Sequence, residues 1–311
     1  MKTIFFSLQP PSGSYGGGAF FVKNMIKHLQ SNGYNITFEL VPNIDLLFII
    51  DPRNGAYKKY NLNHFMQYKQ YFPNVKIIHR VNECDIKREV SINVEPLLIK
   101  TMQLADHVVF VSEWLKNYFI DKYKLNIKSS AILNGCNQEN FFPSRNKKLQ
   151  SKTKIVTHHW SNNYLKGFHI YNKLDELLEE RDDIEFTYIG NYNRNYNPKN
   201  IKLLPATSGK DLGNLLRKQD IYLTATQNEP GAMHYLEGQS CGLPILFCEG
   251  GGGVKEICNN VGEEFNNIET LLNKLEKIKT NYDEYVKKID YKYLSCDRCS
   301  KQYMKVINEL I

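Results

Sequence analysis

Short runs of β-branched and aliphatic residues alternate with longer stretches of helical periodicity along this 311-residue chain, and they do so in two successive series. In the first series the apolar runs fall at residues 3–8, 35–41, 46–50, 76–81, 107–112 and 130–133. Between the first two, Phe20, Met25, Ile26 and Leu29 recur at roughly helical spacing over 19–30, and Gly33 supplies a stop. Strands separated by helix-length segments pair in parallel, because a hairpin cannot reach a parallel neighbour and a crossover can. The pattern predicts βαβ units and a parallel sheet.

A polar stretch without periodicity follows at 144–152 and reads as an interdomain linker. The second series then begins, with strands expected at 155–158, 184–189, 201–204, 221–225 and 245–248, and helices at 167–180, 209–218 and 230–240. Residues 268–311 are mostly helical in pattern. The length suits two cores of about 150 residues each. The expected fold is α/β, with two Rossmann-like domains at 1–148 and 149–311.

No stretch reaches the roughly 18 uninterrupted apolar residues of a membrane span. The apolar run that opens the chain meets Pro10 and Pro11 too soon for a signal peptide. A soluble, cytoplasmic protein is expected. The seven cysteines are odd in number and scattered through apolar segments, as reduced thiols would be.

Charge is uneven. Residues 1–150 hold 19 Lys and Arg against 11 Asp and Glu, a balance of +8, whereas residues 151–311 hold 21 against 22, a balance of −1. Lys23, Lys27, Lys58, Lys59, Lys69, Lys87, Arg88 and Lys100 lie on or beside expected helices, where several could share a face. Such a half suits peripheral contact with an anionic membrane or a phosphorylated substrate, or else a lysine-rich solvated surface. No nucleic-acid partner is expected.

Ser14-Tyr15-Gly16-Gly17-Gly18 follows the first strand and opens the first helix, where bare amides and the helix dipole can meet a phosphate or a sugar hydroxyl. A flexible connector is the plain alternative. The segment is not GxGxxG, because Phe21 stands where the last glycine would fall. Trp160-Ser161-Asn162-Asn163-Tyr164-Leu165-Lys166-Gly167 holds the same topological place in the second series. There the Lys166 ammonium can neutralise a diphosphate and Gly167 admits close backbone approach, although a lysine at a helix start is more often simply solvated.

In the segment 228–244, Pro230 suits the first helical position and Gly242 the residue after the last. Glu229 would then sit at the helix lip with Glu237 two turns inside. A rise of 1.5 Å over eight residues separates the carboxylates by roughly 12 Å, too far for the paired acids of a glycosidase. They must serve two different parts of a ligand, unless Glu229 is only a cap held by the helix dipole. His79 is expected to end the fourth strand, followed by Arg80, Asn82, Glu83 and Asp85. Cys296 and Cys299 have CxxC spacing without a second pair, and Asp182-Asp183 reads as a solvated turn, so no metal site is expected.

These segments resemble the family 4 retaining glycosyltransferases of the GT-B fold (group 1 glycosyltransferases), whose signature is two glutamates separated by seven residues. The resemblance covers nearly the whole chain. Gly16 to Gly18, Ala105-Asp106, Val111-Ser112-Glu113-Trp114, Asn134-Gly135 through Phe142-Pro143, Lys166-Gly167, Glu229 with Glu237, Gly242-Leu243-Pro244, and Gly251-Gly252-Gly253 leading to Glu256 all stand in family order. The resemblance implies two Rossmann-like domains facing a central cleft, an acceptor domain at 1–148 and a nucleotide-sugar donor domain at 149–311. The terminal helix, about 291–311, would pack back toward the first domain.

The implied reaction is metal-independent, retaining transfer of a sugar from a nucleotide-sugar to a glycan, lipid-linked or protein acceptor, with no cofactor besides that substrate. Glu229, Lys166 and His79 would be the catalytic residues. Glu229 would contact the transferred sugar, Lys166 would offset the departing diphosphate, and His79 would face acceptor and donor sugar. Glu237 would accept hydrogen bonds from the donor ribose, Pro230, Gly231, Ala232 and Met233 would line the donor site, and the amides near Gly231 would bind sugar or phosphate oxygens. Ser161, Asn162 and Gly167 would join them from the lysine loop, and Gly16, Gly17 and Gly18 would close the cleft. One departure stands out: the family arginine about five residues before the lysine is replaced by Ser161. Charge on the leaving group would then rest on Lys166, on helix dipoles, or on Arg194 reaching in from 191–197. Sugar-nucleotide epimerases share the GT-B architecture, and a non-catalytic nucleotide-sugar-binding subunit is a third reading that the intact Glu229, Glu237 and Lys166 oppose.

Overall fold

The computed structural model describes residues 1–11, 16–55, 58–144, 147–192 and 196–311. They form two compact units, one of Met1–Asp85, Ile92–Asn134 and Cys296–Ile311, the other of Ile86–Ser91 and Gly135–Ser295. The break after Asn134 precedes the polar stretch at 144–152. The chain has joined the second unit before that stretch: Cys136 N–H donates to Leu294 O at 2.7 Å, Arg217 Nη1 donates to Asn140 O at 2.9 Å, and Phe141 lies in the second unit's core.

In the first unit the strands β1 (Thr3–Phe6), β2 (Asn35–Thr37), β3 (Leu46–Ile49), β4 (Lys76–Val81), β5 (His107–Phe110) and β6 (Ser129–Ala131) form one parallel sheet of order β2-β1-β3-β4-β5-β6. Every residue of β3 and β5 is buried, which is why β3 reads as an unbroken apolar run and β5 as one after His107. The crossovers are α1 (Gly17–Ser31), α2 (Leu62–Tyr71), α3 (Glu95–Leu104) and α4 (Glu113–Tyr123). The buried stripe of α1 runs through Phe21, Val22, Met25 and Leu29, so Phe20 and Ile26 flank it rather than define it. The last helix, Cys296–Leu310, packs on α1 through Tyr303, whose ring lies 4.8 Å from Phe21 and 5.7 Å from Phe48. Cys299 is buried in that core and forms no disulfide, and no group of three or more His, Cys, Asp or Glu that could hold a metal ion occurs among the described residues.

At least four of the eight basic residues named above make ion pairs: Lys58 with Asp51 at 2.9 Å, Lys59 with Glu39 at 2.5 Å, Lys69 with Asp106 at 3.6 Å, and Lys87 with Glu229 at 3.3 Å. No helix among the described residues is long and apolar enough to cross a membrane.

The second unit repeats the architecture. Its strands β7 (Thr153–His159), β8 (Ile184–Gly190), β9 (Lys202–Leu204), β10 (Ile221–Thr224), β11 (Ile245–Cys248) and β12 (Gly262–Phe265) are ordered β12-β11-β10-β7-β8-β9, all parallel. The helices are α5 (Phe168–Leu177), α6 (Gly209–Leu216), α7 (His234–Ser240), α8 (Val254–Cys258), α9 (Ile268–Thr280) and α10 (Tyr282–Lys287), with the terminal helix counted as α11. Strand β12 escapes sequence reading because Gly-Glu-Glu-Phe has no apolar run. Pairing with β11 makes it a strand, and Lys274, Lys277 and Tyr285 hold Glu263 there.

Candidate active site

In the second sheet the chain runs from β7 outward to β8 and β9, then returns to place β10 on the other side of β7. The carboxyl ends of β7 and β10 flank this switch point, the place where open α/β sheets bind ligands. Lys166 is on the first loop and Glu229 on the second.

Backbone bonds tie these loops to each other and to the segment after β11. Gln227 N–H donates to Leu165 O at 2.9 Å, Asn228 N–H to Gly250 O at 2.9 Å, and Gly253 N–H to Glu229 O at 2.9 Å. Two glycines make the approach possible. Gly167 has φ +106°, and a Cβ there would lie 2.5 Å from Ala225 Cβ; Gly252 has φ +77°, and a Cβ would lie 2.4 Å from Glu229 O. Both positions demand a residue without a side chain.

The same bonds overturn the expected helix at 230–240. Helix α7 starts only at His234. Glu229 forms a parallel bridge with Gly252, which holds 228–230 in loop geometry and delays the first helical turn. Pro230 is therefore not a first helical residue, Glu229 is not at a helix lip, and Glu237 stands in the first turn of α7. The 12 Å spacing, which presumed eight helical residues, loses its basis. Pro230 is buried, while Gly231, Ala232 and Met233 are half-buried ahead of the helix, and the Ala232 amide is already given to Tyr235 Oη at 3.1 Å.

Glu229 is 4% exposed. Its Oε2 pairs with the Lys166 ammonium, and its Oε1 with Lys87 Nζ at 3.3 Å. Burial pushes this carboxyl up, but Lys166 and Lys87 outweigh it and hold the group down at about 2. Two ammonium groups and one carboxylate leave a net positive charge at the switch point. Asn163 braces the lysine loop, accepting from Leu165 N–H at 3.1 Å and donating to Lys87 O at 3.2 Å. Ser161 Oγ accepts from Asn163 N–H at 3.3 Å, and Asn162 is exposed on the same loop.

Glu237 is held by a residue that sequence reading passed over. His158, at the carboxyl end of β7, brings Nε2 to 2.7 Å from Glu237 Oε2. Behind it Tyr222 Oη lies 3.1 Å from His158 Nδ1 and 3.2 Å from His234 Nδ1. Burial holds His234 and the neighbouring His159 well below the usual histidine range. Lys87 was also missed as a site residue, since nothing local in its sequence separates it from other surface bases. Signals for the histidines existed in the His158-His159 pair at a strand end.

The other expected site residues lie in the first unit or outside the described residues. Gly17 and Gly18 begin α1 with Gly16 as its cap, and a Cβ at Gly16 would meet open space; Ser14 and Tyr15 are outside the described residues. His79 does not end β4 but sits within it, opposite Ile49 and Val108, fully buried, and neither ring nitrogen has a hydrogen-bond partner among the described residues. Burial drives it down to about 3 against the opposing pull of Asp51, so it is a neutral core residue here. Arg194 lies outside the described residues.

No curated protein sequence matches the chain. Solved structures of similar fold include sucrose-phosphate synthase from Thermosynechococcus elongatus, with TM-score 0.70 at 12% identity over 100% of this chain and 99% of that one. HepE of Anabaena, solved in complex with UDP, gives TM-score 0.72 at 12% identity over 99% and 100%. A glycosyltransferase from Rickettsia africae gives 0.67 at 17% over 99% and 98%. The family model described as glycosyl transferases group 1 matches residues 144–294. Residues 144–294 are thus similar to the group 1 glycosyl transferases, in a chain whose fold is the GT-B fold of these solved structures.

Proposed function

We propose that this protein transfers a sugar from a nucleotide-sugar donor, with retention of configuration, to a hydroxyl of a glycan, lipid-linked or protein acceptor. One observation carries the reading: a buried carboxylate, Glu229, between Lys166 and Lys87 at the switch point of a segment similar to the group 1 glycosyl transferases. A donor diphosphate brings negative charge to a site whose own charges sum to a positive one. That charge grows on the leaving phosphate as the sugar–oxygen bond breaks, so ammonium groups fixed nearby lower the barrier more than they tighten binding. Lys87 supplies the second cation where Ser161 stands in place of an arginine. The likeness to HepE, solved with UDP-glucose, supports UDP-sugars as the first donors to try.

In this reading the bond from the anomeric carbon to phosphate oxygen breaks with its electron pair passing to the phosphate. The acceptor oxygen attacks from the same face and its proton goes to that phosphate. Glu229 then lies near the transferred sugar, Glu237 meets the ribose, and no resident cofactor takes part. The test is incubation with UDP-, GDP- and ADP-sugars, following ligand-induced thermal stabilisation and nucleotide release, and then the anomeric configuration of the product by NMR. Release of an inverted sugar, or of a free epimerised donor without any acceptor, would refute it.

A further inference from the structure

We infer that His158 is a positioning residue that fixes the Glu237 carboxylate, with its own tautomer set by Tyr222 and His234. Its functional consequence rests on the reading of Glu237 as the ribose acceptor.

The Tyr222 hydroxyl has one proton to give and two lone pairs to fill. One lone pair takes the backbone N–H of His158 at 3.1 Å. Two imidazole nitrogens are the nearer partners for the rest, His158 Nδ1 at 3.1 Å and His234 Nδ1 at 3.2 Å, with the His158 carbonyl oxygen a longer acceptor at 3.4 Å. With one lone pair and one proton shared between the nearer two, one ring donates through Nδ1 and the other accepts. Glu237 decides which. An ionised carboxylate only accepts, so the 2.7 Å contact puts a proton on His158 Nε2. A neutral His158 then has a bare Nδ1 that takes the tyrosine proton, and His234 carries its proton on Nδ1.

The nitrogen left bare by this count, His234 Nε2, is buried and has no hydrogen-bond partner among the described residues. A second proton on His158 would reverse the chain. Nδ1–H would donate to Tyr222, the tyrosine proton would move to His234 Nδ1, and the His234 proton would be forced to Nε2, a buried donor without an acceptor. His158 is thereby kept as a donor in one orientation. The carboxylate it grips is on the first turn of α7, 18% exposed at the side chain, and is anchored through Oε2 by this contact.

The first test needs no ligand. Long-range 1H–15N NMR spectra at pH 7 should show His158 protonated on Nε2 and His234 on Nδ1; the opposite tautomers would overturn the inference. The second test compares, by calorimetry, whichever of UDP, GDP and ADP the wild type binds best with its 2′,3′-dideoxy counterpart. His158→Leu should weaken the ribonucleotide roughly tenfold and the dideoxy compound by less than about twofold. His158→Gln, which keeps an N–H donor, should recover most of the loss. Glu237→Gln is run alongside. If Glu237→Gln loses ribose discrimination while His158→Leu keeps it, the positioning role fails. If both keep it, or if no nucleoside diphosphate binds, the ribose reading fails and takes the functional consequence with it, while the tautomers still stand or fall by NMR.

Discussion

Glu229→Gln removes one negative charge from between two ammonium groups and leaves the side-chain shape nearly unchanged. Lys166 and Lys87 overcome the burial cost and lower the Glu229 carboxyl from 4.5 to about 2. At about 1.4 kcal/mol per unit this is on the order of 3 kcal/mol of stability. Because the folded value lies below the unfolded one, that stability is fully present above about pH 4.5 and is lost as pH falls toward 2. Glu229→Gln should therefore melt about 6–12 °C below wild type at pH 7. The gap should narrow steadily in melts taken from about pH 4.5 downward. The two uncompensated ammonium groups should also hold a nucleoside diphosphate or pyrophosphate more tightly, even as turnover falls. A variant as stable as wild type at pH 7, or a gap that does not change at acid pH, would refute the reasoning. It would mean that Lys166 and Lys87 swing out to water and that the triad holds nothing in place.

Lys87→Met should cut turnover roughly ten- to hundredfold with a smaller loss of donor affinity, read by steady-state kinetics; equal losses in both would deny it a role in meeting developing charge. Gly167→Ala should cost about 2–4 kcal/mol, because a methyl meets Ala225 at a backbone angle that alanine resists, and denaturant melts of the second unit will measure it. Lys27 and Lys100 remain exposed in the first unit. If this unit docks on anionic lipid, charge reversal at both should reduce sedimentation with anionic vesicles at low salt by about 1 kcal/mol per residue, whereas identical sedimentation of variant and wild type would assign them to a solvated surface.

The sequence by itself determined the fold class and placed four candidate site residues beyond the ends of strands. Central strands such as β3 and β11 are buried on both faces, so their apolar runs announce them without help from the rest of the chain. Lys166 and Gly167 after one strand, and Glu229 and Glu237 after another, are legible because loops at strand ends are where a parallel sheet puts its chemistry. Everything that depended on contact between distant segments was decided by the tertiary structure. Helix α7 starts late because Glu229 is bonded across to Gly252 and Gly253, not because of any residue within 230–240. Lys87 becomes the second cation on Glu229 only through folding, and His79 loses its expected place because β4 runs past it into the core. His158 acquires its partner from α7 and its tautomer from β10. Periodicity is a local property that a few neighbouring side chains fix, whereas a site is a meeting of loops whose geometry is set by hydrogen bonds between residues far apart in the chain.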